Sequence, residues 1–247
     1  MDVKTAGRTV RIFEIFAEAK EPLSLSELSR LLDAPLSSCL YLLRALETRG
    51  YIYAVGSKRL VYPTRKLYEI ARDISEGETW VERLEPYLTE LRDQTKETVI
   101  LGKRQGDKVV YLAVLEGPQT IRYSAQPGDL KPIHSSSIGK ALLANLTEKE
   151  RKKILGKHPL PSFTEKTVTD ADDLNRMFDT IKKQGFAETN GETVPDVSAL
   201  AKSVTLQHDQ FGIGIAGPSY RMAEQREQHL EALNKMCEEV SALATVR

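Results

Sequence analysis

Residues 24–63 read SLSELSRLLDAPLSSCLYLLRALETRGYIYAVGSKRLVYP, and the punctuation of this stretch spells two short helices and a hairpin. Ser24 and Glu27 form a capping box, with Leu23 and Leu28 at the two positions of a hydrophobic staple, so a helix starts just after Ser24 and runs to about Leu32. Asp33 and Ala34 make the turn. Pro35 suits the first position of a second helix, where its missing N–H costs nothing, and that helix closes on Gly50. A period of 3.6 residues puts Leu36, Cys39, Leu40, Leu43 and Leu46 on one face and Ser37, Ser38, Tyr41, Arg44 and Ala45 on the other. The first face is core. The second carries short hydroxyls near the helix start, then a phenol and a guanidinium, groups that reach phosphates and base edges in a major groove.

A pair of amphipathic helices is common and its outer face is often only solvated. The sequel sharpens the reading. Residues 51–55 and 59–62 are strand-like runs joined by Gly56, Ser57 and Lys58, a hairpin with a basic tip. Helix, turn, helix and basic hairpin describe a winged helix. The expected DNA-facing set is Ser24, Ser37, Ser38, Tyr41, Arg44, Lys58 and Arg59, with Arg8 from a short basic arm, residues 1–8, that a frayed terminus explains about as well.

Charge is distributed to match. The chain has 247 residues, 35 Lys or Arg and 35 Asp or Glu; residues 1–66 hold 11 basic and 7 acidic side chains, a net of +4, leaving 24 and 28, a net of −4. A basic head on an acidic body favours nucleic acid at the head. The two cysteines, Cys39 and Cys237, are far apart, which suits a reduced, cytoplasmic protein. No window is apolar enough to span a bilayer, so no membrane is expected. The four histidines lack metal-ligand spacing, and no metal or other cofactor is expected.

Residues 9–19 place Val10, Phe13, Phe16 and Ala17 on one side of a first helix that roofs the pair. After Pro63, Leu67, Ile70, Ala71 and Ile74 continue as a linker helix with an apolar stripe suited to pairing with a second subunit. Glu76, Gly77 and Glu78 interrupt it, giving a head of residues 1–66, a linker of 67–78 and a body of 79–247. The body opens with a helix over residues 79–95, with Pro86 marking a kink or restart. Strands are expected at residues 99–104, 109–115 and 120–125, then at 186–189, 198–207 and 211–216. Helices open at Thr147, at Thr169 with Asp172, and finally over residues 221–244. Strands and helices mix without strict alternation, so the fold class is α+β, with an antiparallel sheet flanked by helices.

Within the body, PIHSSSIGK leads into a helix, and hydroxyls and free N–H groups gathered at a helix start favour an anion. Serines that merely cap the helix are nearly as good an explanation. Gly212, Gly214 and Gly217 match G-x-G-x-x-G, but they alternate with isoleucine as in a strand and Pro218 follows, so the match is not a dinucleotide fingerprint. Small residues on one strand face suit close approach by another element or a small molecule. No catalytic set emerges, because the serines 135–137 lack a G-x-S-x-G elbow and a placed base.

The head from Gly7 to Ile52, the block PIHSSSIGKALLANLTEKE, the run IKKQGFAETN and the closing IGIAGPSYRM together resemble the isocitrate-lyase-regulator (IclR) family of bacterial transcription regulators. The resemblance implies a winged helix-turn-helix, a dimerising linker helix and a GAF-like effector domain. It also implies operator DNA bound by a homodimer or homotetramer, and a small organic metabolite as effector. Matched position by position, it assigns the effector pocket to Ser136, Ser137, Ile138, Thr189, Asn190, Val197, Ala199, Gly214 and Ala216. Relatives often carry Cys at the Ala199 position and Ser on the last strand, so this pocket is expected to be roomier and less polar on that wall. They also commonly have Arg where Tyr41 stands, which bears on the operator sequence. A carboxylate on a flat ring suits an anion-friendly helix start facing an apolar wall, pointing to an aromatic acid held by Ser136 and Ser137. The competing reading is a small-molecule enzyme or sensor whose winged helix serves protein contacts.

Overall fold

The computed structural model describes residues 4–56, 59–75, 80–156 and 159–243, so Lys58 and the boundary residues Glu76, Gly77 and Glu78 lie outside the described residues. The chain separates into two compact units, Met1–Glu78 and Thr79–Arg247.

The first unit runs α1 (Lys4–Ala19), α2 (Leu25–Leu31), α3 (Leu36–Thr48), β1 (Ile52–Val55), β2 (Leu60–Pro63) and α4 (Lys66–Ser75). The capping box is formed: the Ser24 hydroxyl accepts from the Glu27 N–H at 3.3 Å, and the Glu27 carboxylate accepts from the Ser24 N–H at 2.8 Å. Ile12, Ile15, Phe16, Leu28, Cys39, Leu43, Leu46 and Ile52 bury together as one core. β1 and β2 pair antiparallel from Ile52↔Pro63 to Val55↔Leu60, and a bridge from Leu23 to Val61 ties the hairpin to the start of α2.

Three expectations change here: Val10 and Ala17, placed on the inner side of the first helix, are exposed, and Ile12 and Ile15 are buried with Phe16 instead. Lys4 and Arg8, assigned to a basic arm, lie inside α1, which runs through Gly7 on the strength of the buried Ile12, Ile15 and Phe16 further along. Leu36, assigned to the core face, is 53% exposed, since it stands in the first turn of α3.

The second unit runs α5 (Trp80–Thr95), β3 (Thr98–Gln105), β4 (Lys108–Leu115), β5 (Leu130–Pro132), α6 (Ser137–Ala144), α7 (Glu148–Leu155), α8 (Ala171–Gln184), β6 (Ala187–Asn190), β7 (Val197–Leu206), β8 (Asp209–Pro218), α9 (Ser219–Glu224) and α10 (Arg226–Leu243). The six strands form one antiparallel sheet in the order β5-β4-β3-β8-β7-β6. Side-chain alternation sends Val99, Leu101, Ile213 and Ile215 to a core with Leu84, Leu88 and Leu91 of α5 and Leu233, Met236 and Val240 of α10. Ile100, Ala201 and Ala216 face the other way, toward Ile138 of α6 and Leu174 and Phe178 of α8. One sheet buried on both faces by helices is the expected α+β architecture.

The strand expected at residues 120–125 is absent. Pro118 and Pro127 bracket that segment, the Tyr123 carbonyl accepts from the Thr98 hydroxyl, and Ile121 is exposed. The third strand of that edge is instead β5, paired with β4 at Val109↔Lys131. The closing helix is two, α9 and α10, parted at Gln225, where the backbone leaves helical geometry. Asp170, rather than Thr169, caps α8, accepting from the Asp172 and Asp173 N–H groups at 2.9 and 3.0 Å. Pro86 sits inside α5 without ending it.

Candidate functional site

Two surfaces gather the residues singled out from the sequence, one in each unit. In the first unit α3 buries Cys39, Leu43 and Leu46 and turns Ser37, Tyr41 and Arg44 outward, with Tyr41 71% exposed and Ser38 half-buried. Arg44 makes no ion pair among the described residues, which leaves all five guanidinium donors available. Arg44 and Arg59 line a groove of about 710 Å³ between α3 and the hairpin, together with Leu40, Glu47, Ala54 and Val61. Ser24 lies at the same groove, but its hydroxyl also donates to the Glu27 carboxylate at 2.7 Å, so the capping box occupies it. That bond, with the backbone N–H, holds the Glu27 carboxyl below its usual pKa. Arg8 is half-buried on α1.

In the second unit, Ser136, Ser137, Ile138, Thr189, Val197, Ala199, Gly214 and Ala216 line one cavity. Asn190, matched to the same pocket, does not. Strand alternation buries Thr189 and turns Asn190 outward, where its side-chain oxygen accepts from the Ser219 hydroxyl at 3.3 Å. Sequence reasoning missed Ile100, Tyr111, Tyr123, Lys131, Thr193 and Ile215, which complete the wall. For Ile100, Tyr111 and Lys131 the only local signal was the strand pattern, which does not say what a residue faces, and Tyr123 and Thr193, outside any strand, had none.

Each wall has a physical origin. Ser136 caps α6, its hydroxyl accepting from the Gly139 N–H at 3.2 Å, so the capping reading of that serine holds and its own hydrogen remains to donate. Thr193 reaches in from the β6–β7 loop, its hydroxyl donating to the Ser135 carbonyl at 3.0 Å. That loop is fastened by a fully buried ion pair, Lys140 of α6 with Glu192, and by hydroxyls of Thr164 and Thr167 donating to the carbonyls of Gly191 and Glu192 at 2.6 and 2.7 Å. Burial pushes the Lys140 ammonium below its usual pKa, and Glu192 works against that.

The wall formed by Gly214 and Ala216 is apolar. Ile138 fills the space: a Cβ on Gly214 would lie 3.0 Å from Ile138 Cγ1, and one on Gly102 3.3 Å from Ile138 Cγ2. The G-x-G-x-x-G run lies in β8, and its glycines admit this helix side chain, as a strand of small residues should. The volume left for water is about 40 Å³. That is roughly one or two waters.

Among the described residues no group of three or more His, Cys, Asp or Glu is gathered for a metal, and no helix is long and apolar enough to cross a membrane.

Comparison with known proteins agrees with this arrangement. The model described as bacterial transcriptional regulator IclR C-terminal matches residues 78–242, and the IclR helix-turn-helix domain matches residues 5–56. The chain is 28% identical over 246 residues to the HTH-type transcriptional regulator KdgR of Escherichia coli, covering 97% of this chain and 92% of that one. It is 29% identical to the HTH-type transcriptional regulator BhcR of Paracoccus denitrificans, covering 91% and 81%. The crystal structure of the Thermotoga maritima IclR superposes with a TM-score of 0.80 at 24% identity over 98% and 99% of the two chains. That of an IclR homolog from Microbacterium hydrocarbonoxydans complexed with 4-hydroxybenzoate does so at 0.77, with 21% identity over 98% and 100%. At such identities the structural likeness shows the fold.

Proposed function

The chain belongs to the IclR family of bacterial transcriptional regulators, and on that premise we propose how its two units divide the work. It is a DNA-binding, ligand-responsive regulator rather than an enzyme, as its named relatives are regulators of transcription. The first unit grips operator DNA with α3 in the major groove: Ser37, Ser38, Tyr41 and Arg44 meet base edges and phosphates, and Arg59 follows the backbone from the hairpin. Ser24 and Arg8 are outlying members of this surface, and Lys58, which lies outside the described residues, is a further candidate contact from its place in the sequence. The single observation that carries the reading is the two-sided α3, with Cys39, Leu43 and Leu46 buried and Tyr41 and Arg44 turned outward.

Two copies pair through α4, none of whose residues is buried within its own unit although Leu67, Ile70 and Ile74 form an apolar stripe. A homodimer or a homotetramer then reads half-sites about one helical turn, or a multiple, apart. Binding to operator DNA is work done in the cytoplasm.

The second unit holds a small organic carboxylate, an aromatic acid in the first reading, and the output is control of a catabolic operon for that acid. The start of α6 favours an anion, and Ile100, Val197, Ala199 and Ala216 offer an apolar wall to a ring. A short aliphatic acid is the second reading, favoured by the small volume of the cavity. The effector acts by binding one arrangement of the oligomer better than another, which changes operator affinity by a coupling energy of about 1 to 3 kcal/mol.

Gel shift against the DNA flanking the protein's own gene tests the first half, and retardation of no fragment at low salt would overturn it. Calorimetric titration with benzoate and pyruvate tests the second. Tighter binding of pyruvate selects the aliphatic reading.

A further inference from the structure

The effector cavity contains one charged side chain among its lining residues, and it is Lys131. Lys131 stands on β5, the edge strand, opposite Val109. Its side chain is three-quarters buried, with the ammonium 3.1 Å from Asp129 Oδ2 and 5.6 Å from the centre of the Tyr111 ring. Asp129 is partly exposed at a turn whose backbone bonds to Tyr111, the Tyr111 N–H donating to the Asp129 carbonyl at 2.9 Å. An ammonium has three donors; Asp129 engages one and Tyr123 another, so a donor is left for the cavity. An ion pair of two partly exposed groups is also weak enough for a ligand to share. Tyr123 and Asp129 outweigh the effect of burial and hold the Lys131 pKa above its usual value, while burial pushes the Tyr111 hydroxyl upward and keeps it protonated.

We propose that Lys131 is the residue that makes this pocket select an acid: the carboxylate of the effector sits on the Lys131 ammonium at the β5 end of the cavity, and Ser136 and Ser137 take a second polar group. The proposal rests on the reading of this cavity as the effector site and moves the acid group from the helix start to the strand edge. A positive charge walled by aromatic and apolar groups costs free energy to desolvate, and an incoming carboxylate recovers part of it, whereas a neutral ligand does not.

The test is calorimetry on the full chain with benzoate, 4-hydroxybenzoate and pyruvate, and with benzamide as the neutral counterpart of benzoate. Lys131→Met weakens whichever acid binds the wild type by about ten-fold or more, the size expected for a hydrogen bond to a charged group, while Lys131→Arg keeps most of the affinity. Asp129→Asn removes the competing carboxylate and tightens the same acid. Unchanged acid affinity in Lys131→Met, or benzamide binding the wild type as tightly as benzoate, overturns the proposal and leaves the cavity as the effector site. Should Lys131→Met fail to fold by circular dichroism, Asp129→Asn decides, and no tightening there overturns the proposal. A wild type that takes none of the three acids overturns the acid-effector reading itself.

Discussion

The Cγ2 methyl of Ile138 stands where a side chain on Gly212 would have to go: a Cβ built on that glycine collides with it. α6, which lines the cavity of the second unit, is thereby keyed into the sheet beneath it. A β-branched side chain in a helix has essentially one rotamer, so Ile138 has no easy way to yield.

Gly212→Ala is therefore expected to destabilise the protein by about 1 to 3 kcal/mol through overpacking. Ile138→Ala costs about 2 to 5 kcal/mol by leaving a cavity. The double variant should be more stable than the sum of the two losses predicts, and urea unfolding of all four proteins measures that coupling. Strict additivity would separate the two residues. Ile138→Ala should also admit a ring more readily, raising the affinity for benzoate relative to pyruvate.

Lys140 and Glu192 form a buried pair in which the second carboxylate oxygen, Oε2, has no hydrogen-bond partner among the described residues. Removing one partner strands a buried charge. Lys140→Met is expected to cost about 3 to 5 kcal/mol. Lys140→Met with Glu192→Leu should recover much of that, since both charges are then gone. A double variant less stable than Lys140→Met would show that the pair is not the unit that matters.

His229 is buried on α10 and neither ring nitrogen makes a well-formed hydrogen bond. Burial depresses its pKa below the usual value of 6.5; Arg221 acts in the same direction, and Glu97 and the Thr95 backbone oppose. The unfolded chain then binds a proton that the folded chain refuses. Stability from this residue is fully present above pH 6.5 and is lost as pH falls from there toward the depressed value. His229→Gln should flatten the stability curve over that window, and parallel curves for the two proteins would remove His229 as the cause.

Arg44 lines the groove beside the hairpin, as does Glu47, and makes no ion pair among the described residues. If it reaches a phosphate, Arg44→Ala weakens binding to every DNA sequence alike and makes the log–log salt dependence shallower by about 0.9. Gel shifts at several salt concentrations give the slope, and an unchanged slope takes Arg44 off the phosphate backbone.

Ile74 on α4 is 71% exposed within the first unit. Ile74→Asp should shift the protein to monomer in sedimentation and weaken operator binding, because a paired stripe cannot bury a carboxylate without cost. An unchanged oligomer would place the interface elsewhere.

The helices of the first unit were legible because their determinants lie within a few residues of one another. The Ser24–Glu27 and Thr147–Glu150 boxes and the leucine spacing of α3 each act within a turn or two, so the string of residues contains the whole cause. The antiparallel α+β body could be read the same way from alternation, and so could the serines at the start of α6. Tertiary structure alone decided what those elements meet. Lys131, Tyr111, Tyr123 and Thr193 reach one cavity from separate strands and loops, Asn190 turns out of it by a single step of strand alternation, and residues 120–125 lose their strand to β5. Whether a strand pairs, and which side chain fills the space over a glycine, depends on residues brought near only when the chain closes distant loops. No local pattern carries that information.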